Sequence, residues 1–229
     1  IQARLTPDVH DTNAWSVRYR SGKAVYEEGL YLGRYVTRYW GADQRIHPDT
    51  YINSQSWKRR FLPIEAFQLE IDGQLLAYNW KFIRSYEDTK SESVPRHYIV
   101  ELKNTLRPIT VKIHTLLDGT SVIVRRLEIT NTSDKPAAVS RFYPWSGLLW
   151  SVEGYKELMP KATENVFTLG RFNCDYNFEE GRFEWSSLPN LTTAIESRGF
   201  GFDDPFFIVR NEAKGEYFIC HLAYSAHWD

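Results

Sequence analysis

The sequence predicts an all-β protein, built as an antiparallel two-sheet sandwich. Three observations carry that expectation. Runs of β-branched and aromatic residues alternate with polar ones at a period of two, the pattern of half-buried strands. Turn pairs such as Asp72-Gly73 and Asp118-Gly119 punctuate those runs. Segments with a 3.6-residue apolar period are scarce. Aromatic residues make up 15% of the chain, with eight Trp and fourteen Tyr. Core packing and cross-strand pairing account for such a content in a sheet protein. The alternative is sugar binding, since a pyranose offers C–H groups that stack on aromatic faces.

Taken in order, Ala24 to Tyr39 is rich in β-branched and aromatic residues and is punctuated by Gly29 and Gly33. Phe67–Ile71 alternates and runs into Asp72-Gly73. Tyr98–Lys103 begins a stronger series. Ile109–His114 alternates apolar with polar side chains, Asp118-Gly119 turns the chain, and Val122–Ile129 follows. A polar turn over Asn131–Pro136 leads to Ala138–Tyr143, which completes an antiparallel meander of at least three strands. Phe206–Val209 and Tyr217–Tyr224 supply the last strands. Leu148 to Met159 has a weak apolar recurrence with Gly154 inside it and Pro160 after it, so one short helix or irregular turn is expected there. Phe142–Trp150 is too apolar for a solvated loop and should lie in the core or against a neighbour. No repeat, low-complexity tract or linker divides the chain, which reads as a single domain over residues 1–229.

Composition excludes several classes. The formal net charge is -1 and neither sign forms a block, which argues against a nucleic-acid binder. No stretch approaches the ~18 apolar residues of a membrane helix. The chain starts at Ile1 without a signal-type apolar run, so the cytoplasm is the favoured compartment. Cys174 and Cys220 are compatible with a disulfide or with two free thiols. Asn131-Thr132-Ser133 and Asn190-Leu191-Thr192 are glycosylation sequons, relevant only in a eukaryotic secreted protein.

Reactive constellations are missing. Six histidines are scattered, and His221 and His227 lack a third ligand at a suitable spacing, so no metal and no cofactor are expected. Asp203 and Asp204 are adjacent, and neighbours on an extended chain point to opposite sides. They do not form the carboxyl pair, ~5–5.5 Å apart, of a retaining glycosidase. Ser146 and Ser225 lack a nucleophile-elbow context, and Gly199-Phe200-Gly201 does not open a helix. In Arg125-Arg126 one side chain faces each way, so at least one is expected inward or across an interface; an inward arginine needs a carboxylate, and Glu128, on the face of Arg126, is the candidate partner.

Four segments, in order, resemble glycoside hydrolase family 36, the α-galactosidase family. They are Leu32-Gly33-Arg34-Tyr35-Val36-Thr37-Arg38-Tyr39-Trp40-Gly41, Val122 to Asn131, Glu196-Ser197-Arg198-Gly199 with Asp204-Pro205-Phe206, and Gly215-Glu216 through Tyr224-Ser225. The resemblance runs from about Trp15 to Trp228. It departs from the family where Gly199–Asp203 replaces a Ser-Ser-His stretch and where Ala226-His227 replaces Gly-Asn.

The resemblance implies the large N-terminal β-supersandwich of these enzymes, related to the galactose mutarotase fold. It also implies that both catalytic aspartates lie on a (β/α)8 barrel beyond Asp229, so that this chain alone is inactive. The implied partners are that barrel, a galactoside-type sugar and further copies in a homo-oligomer. The loop after the "YWG" segment, His47–Trp57, carries the implied substrate-binding residues, Asp49 and Trp57. As a turn residue after Pro48 and a cover for a sheet edge, the same two have a purely structural alternative. A free-standing carbohydrate-binding module is the competing function. A mutarotase-like enzyme is a third, for which the sequence singles out no His/Glu pair.

Overall fold

The computed structural model describes residues 2–7, 15–42, 65–89, 96–147, 167–173, 182–188, 197–198, 201–202, 206–212 and 215–223. Among these, every regular element is a β-strand and every pairing is antiparallel. They fall into two compact units, residues 1–151 and 152–229.

The first unit contains two four-stranded meanders. One runs β1 (Gln2–Pro7), β2 (Trp15–Ser21), β3 (Ala24–Tyr31) and β4 (Arg34–Ala42) in sequence order. A small sheet follows from β5 (Gln68–Ile71) and β6 (Gln74–Leu75). The second meander runs β7 (Trp80–Glu87), β8 (Arg96–Asn104), β9 (Ile109–Leu117) and β10 (Ile123–Asn131). The Asp72-Gly73 turn joins β5 to β6 with φ of 50° and 75°, the two left-handed residues of a tight hairpin. The strand predicted to extend the second meander does not do so. That strand, β11 (Val139–Tyr143), leaves β10 and pairs with β5, because Asp72 and the Ser140 hydroxyl tie the β5–β6 turn to it.

The core lies between the two meanders. Val17, Tyr19, Tyr26, Leu30 and Tyr35 meet Val100, Leu102, Val111, Ile113 and Leu117, and Leu69 and Ile71 of β5 close one side. The strand alternation explains this directly. On β9 the inward set is Ile109, Val111, Ile113, Thr115 and Leu117, while Lys112 and His114 face the other way. β3 is different, since Val25 through Leu30 are all buried and both of its faces are covered. On one face Glu27 accepts a 2.6 Å bond from Arg18 Nε; on the other Glu28 enters the core. A bulge marks the site: Glu27 lies opposite Tyr39 of β4 and Glu28 opposite Thr37, so β4 carries one extra residue between them.

The second unit is described chiefly by a four-stranded sheet in the order β13-β12-β16-β17. Its strands are β12 (Phe167–Asn173), β13 (Arg182–Ser187), β16 (Phe206–Asn211) and β17 (Glu216–His221), and a two-stranded ladder of β14 (Ser197–Arg198) and β15 (Gly201–Phe202) completes the elements. Leu169, Val209 and Asn211 are buried on one face, whereas Trp185, Tyr217 and Ile219 are exposed on the other.

Candidate functional site

Two polar centres stand out in the first unit. The first is a buried ion pair. One of the two arginines does face inward, but it is Arg125, and its partner is Glu28 of β3, not Glu128; the side chains are 1% and 0% exposed. Glu128 lies on the opposite face of β10, where it accepts a 2.6 Å bond from Lys112. Period-two geometry placed Glu128 on the face of Arg126, and it was Arg125 that turned inward.

The pair is enclosed by hydrogen bonds and rings. Tyr26 donates to Glu28 at 2.8 Å, and Arg125 Nε donates to the Pro144 carbonyl at 3.1 Å. The guanidinium carbon lies 5.6 Å from the Tyr26 ring centroid and 5.7 Å from that of Trp145. Burial opposes the Arg125 charge, yet Glu28 and the neighbouring tyrosines outweigh it and hold its pKa above the usual range. Burial also raises the phenols of Tyr19, Tyr26 and Tyr35, so all three stay neutral. With no exposed edge, the pair is a structural charge couple.

Its position gives it a further consequence. Trp145 packs against Trp40, near the end of β4, with ring centroids 4.0 Å apart and the planes tilted by 47°. Thr37 donates to the Ser146 carbonyl at 2.7 Å, and Ser146 N–H donates to Ala66. Glu65 pairs with Arg34 and bridges to Val36. Thus β4, the Glu65–Phe67 segment and the Pro144–Gly147 segment are locked together around Arg125. Trp145, inside the apolar Phe142–Trp150 stretch, packs on the core, while Phe142 is 39% exposed. For the part of that stretch that is described, the core alternative holds at Trp145.

The second centre is a histidine pair on the outer face of the second meander. His97 Nε2 and His114 Nδ1 are 2.9 Å apart, and both residues are buried. Asp88 stands 3.5 Å from His97 Nδ1, Glu128 stands 3.5 Å from His114 Nε2, and Arg126 is 3.5 Å from His114 Nδ1. No metal-binding group of three or more His, Cys, Asp or Glu occurs among the described residues. Burial lowers the pKa of His114, Arg126 and His97 lower it further, and Glu128 offsets part of this.

His114 therefore makes stability pH-dependent. Burial, then Arg126 and the His97 ring, oppose charging of His114 in the folded state. In the unfolded chain His114 titrates near ~6.5. As pH falls below that value the unfolded state binds more protons than the folded state, and stability drops. From about pH 7.5 to about pH 5.5, urea unfolding should show a loss approaching ~1.4 kcal/mol per pH unit per unmatched proton. His114→Gln should flatten the profile. A flat wild-type profile would show that folded His114 takes up its proton as readily as the unfolded chain does.

Asp49 and Trp57 lie outside the described residues, as do Asp203, Asp204, Cys174, His227 and the Leu148–Met159 segment. His221 is exposed on β17 and Cys220 is a half-buried free thiol whose pKa burial raises. Sequence reasoning missed Glu28 and the histidine pair. The histidines are joined by the pairing of β8 with β9, and Glu28 and Arg125 by the packing of two sheets; the only local signal was the outward position of His114 in the β9 alternation.

These elements define an antiparallel β-sandwich whose most deeply buried polar centre is structural. No protein-family model and no curated protein matches the chain, but solved structures share its fold. The α-galactosidase AgaB of glycoside hydrolase family 36 from Geobacillus stearothermophilus aligns with a TM-score of 0.54 at 15% identity, over 91% of this chain and 32% of its own. AgaA from the same organism gives 0.58 at 14% identity over 86% of this chain and 32% of its own. An AgaA variant solved in complex with stachyose gives 0.59 at 15% identity with the same coverage. The chain thus has the fold of about a third of the length of these enzymes.

Proposed function

We propose that this chain is the non-catalytic N-terminal sandwich of an α-galactosidase-like retaining glycoside hydrolase, forming one domain that supports a catalytic barrel, subunit assembly and part of the sugar pocket. The observation that carries the reading is the fold match over 86–91% of this chain against only 32% of each enzyme. The Trp40–Trp145–Arg125 lock supports a role in presenting the segment that follows β4, which contains Asp49 and Trp57. An ionised Asp49 would accept hydrogen bonds from sugar hydroxyls, and the Trp57 indole would pack on the C–H face.

The test compares residues 1–229 with the protein encoded by the whole reading frame on a chromogenic α-galactoside. The whole protein should turn over and the isolated chain should not. Asp49→Ala in the whole protein should lower kcat/KM by roughly ten- to a hundredfold, the worth of a hydrogen bond to a charged group. Turnover by the isolated chain that a single carboxylate change abolishes would defeat the non-catalytic reading. Wild-type kinetics for both Asp49→Ala and Trp57→Ala would remove this segment from the pocket. Tight galactose binding by the isolated chain would instead favour the free-standing carbohydrate-binding module.

A further inference from the structure

The four-stranded sheet of the second unit is apolar on both faces. β13 (Arg182–Ser187) shows the division most plainly, since Phe183 and Trp185 point to one side and Arg182, Glu184 and Ser186 to the other. On the side of Glu184, Leu169 of β12 and Val209 of β16 are buried. On the side of Trp185, strand register lines up Trp185, Gly170, Ile208 and Ile219 in one row across all four strands. This face is open: Trp185 is 42%, Tyr217 58% and Ile219 61% exposed. Gly170 shapes it. A Cβ there would come within 2.6 Å of Phe183 Cζ and 3.0 Å of Trp185 Cζ3, so both rings lie down over the glycine and the surface is low and broad.

The chemistry of this face selects its partner. Its arginine is already matched, for Arg210 Nε donates to Glu212 at 2.6 Å and the guanidinium lies 4.8 Å from the Trp185 ring centroid. What the face offers is aromatic and aliphatic surface with its charge neutralised from within, the composition of a permanent interface. A sheet that is apolar on both sides belongs between two layers. The aligned part of AgaB and AgaA is only 32% of each enzyme, so most of such a protein lies outside the sandwich. In the glycosidase reading that remainder includes a barrel ringed by helices. A helix with an apolar stripe complements a broad apolar sheet. In the same reading the polypeptide runs on from the segment after β17, the strand that carries Tyr217 and Ile219.

We propose that the face bearing Trp185, Tyr217 and Ile219 is the surface on which the catalytic barrel of the whole enzyme docks, through the apolar stripe of its outer helices. The inference rests on the glycosidase reading and adds to it the place of contact.

The test is hydroxyl-radical labelling of the Trp185 and Tyr217 side chains, read by mass spectrometry, in residues 1–229 and in the protein encoded by the whole reading frame. Both side chains should label at least about fivefold more slowly in the whole protein, where the interface excludes water. Ile219→Lys puts a charge on the same face and should raise their labelling in the whole protein at least about threefold. In residues 1–229, where Ile219 faces solvent, the same change should leave labelling as it was. Equal labelling of the two wild-type proteins, or a whole protein that Ile219→Lys does not reopen, would overturn the proposal. Protection within residues 1–229 that grows with their concentration would give the face to a second copy, and protection on adding galactose would give it to a sugar; either would overturn it too. Turnover of an α-galactoside by the whole protein is scored separately. An active enzyme with Trp185 and Tyr217 still open would remove the docking face and leave the glycosidase reading, whereas an inactive one would remove that reading whatever the labelling.

Discussion

Replacing Arg125 with methionine should destabilise the first unit by about 3–5 kcal/mol, the usual result of stripping a buried charge of its partner. Methionine retains much of the packing of the arginine stem, so the loss isolates the charge. Glu28 would be left fully buried, with the Tyr26 hydroxyl as its shortest remaining hydrogen bond. The Pro144 carbonyl would lose its donor, and the Trp145 ring would lose the cation beside it. Urea unfolding is the appropriate measurement. The double variant Glu28→Gln/Arg125→Met should recover a large part of the loss, because the stranded charge is gone. A single variant within about 1 kcal/mol of wild type would mean that Glu28 reaches other partners once Arg125 is gone.

Gly29→Ala should cost about 2–3 kcal/mol, at the upper end for forcing atoms into a packed site. Gly29 sits mid-strand in β3, between Ser16 and Val36, and an added Cβ would approach the Trp15 carbonyl oxygen to 2.4 Å. The obstacle is backbone, so no rotamer change relieves it and β2 must move. Gly73→Ala is the informative comparison. Nothing lies within 4 Å of that Cβ, so only the left-handed φ of 75° opposes the change, at about 1 kcal/mol. Thermal unfolding of the two variants should therefore separate them clearly, and equal effects would show that β2 gives way to the added Cβ at Gly29 at little cost.

The parts of this fold that were legible in the sequence are those in which one face of a strand is wet. Ile109–His114 announced β9 because its polar residues remain on the outer face. β3 resisted the same reading because Tyr26, Glu27, Glu28 and Gly29 are all buried, and a strand covered on both sides loses its alternation. An inward arginine could be inferred from Arg125-Arg126, since adjacent strand residues face opposite ways. Its partner could not, because Glu28 reaches it only after two sheets have packed. The diversion of Val139–Tyr143 to β5 has the same origin: the pattern specifies a strand, and tertiary contacts choose its neighbour. Asp49 and Trp57 entered through a family resemblance, which local patterning neither requires nor opposes.

The separation along the chain of the groups that close the first unit also orders its assembly. Glu28 and Arg125 are 97 residues apart, and two hydrogen bonds between the β2–β3 and β9–β10 turns, Gly119 to Ser21 and Lys23 to Ser121, each span 98. The hairpins of the first meander are local and can form as soon as they are made. Their inner face, however, carries an acid whose counter-charge is synthesised only with β10. On a ribosome the first four strands must therefore wait, with Tyr19, Tyr26 and Tyr35 uncovered, until most of the unit has emerged. Topologies dominated by such distant contacts are slow to fold and vulnerable to aggregation while they wait. The ion pair that locks the finished sandwich is thus also among the last of its interactions that can form.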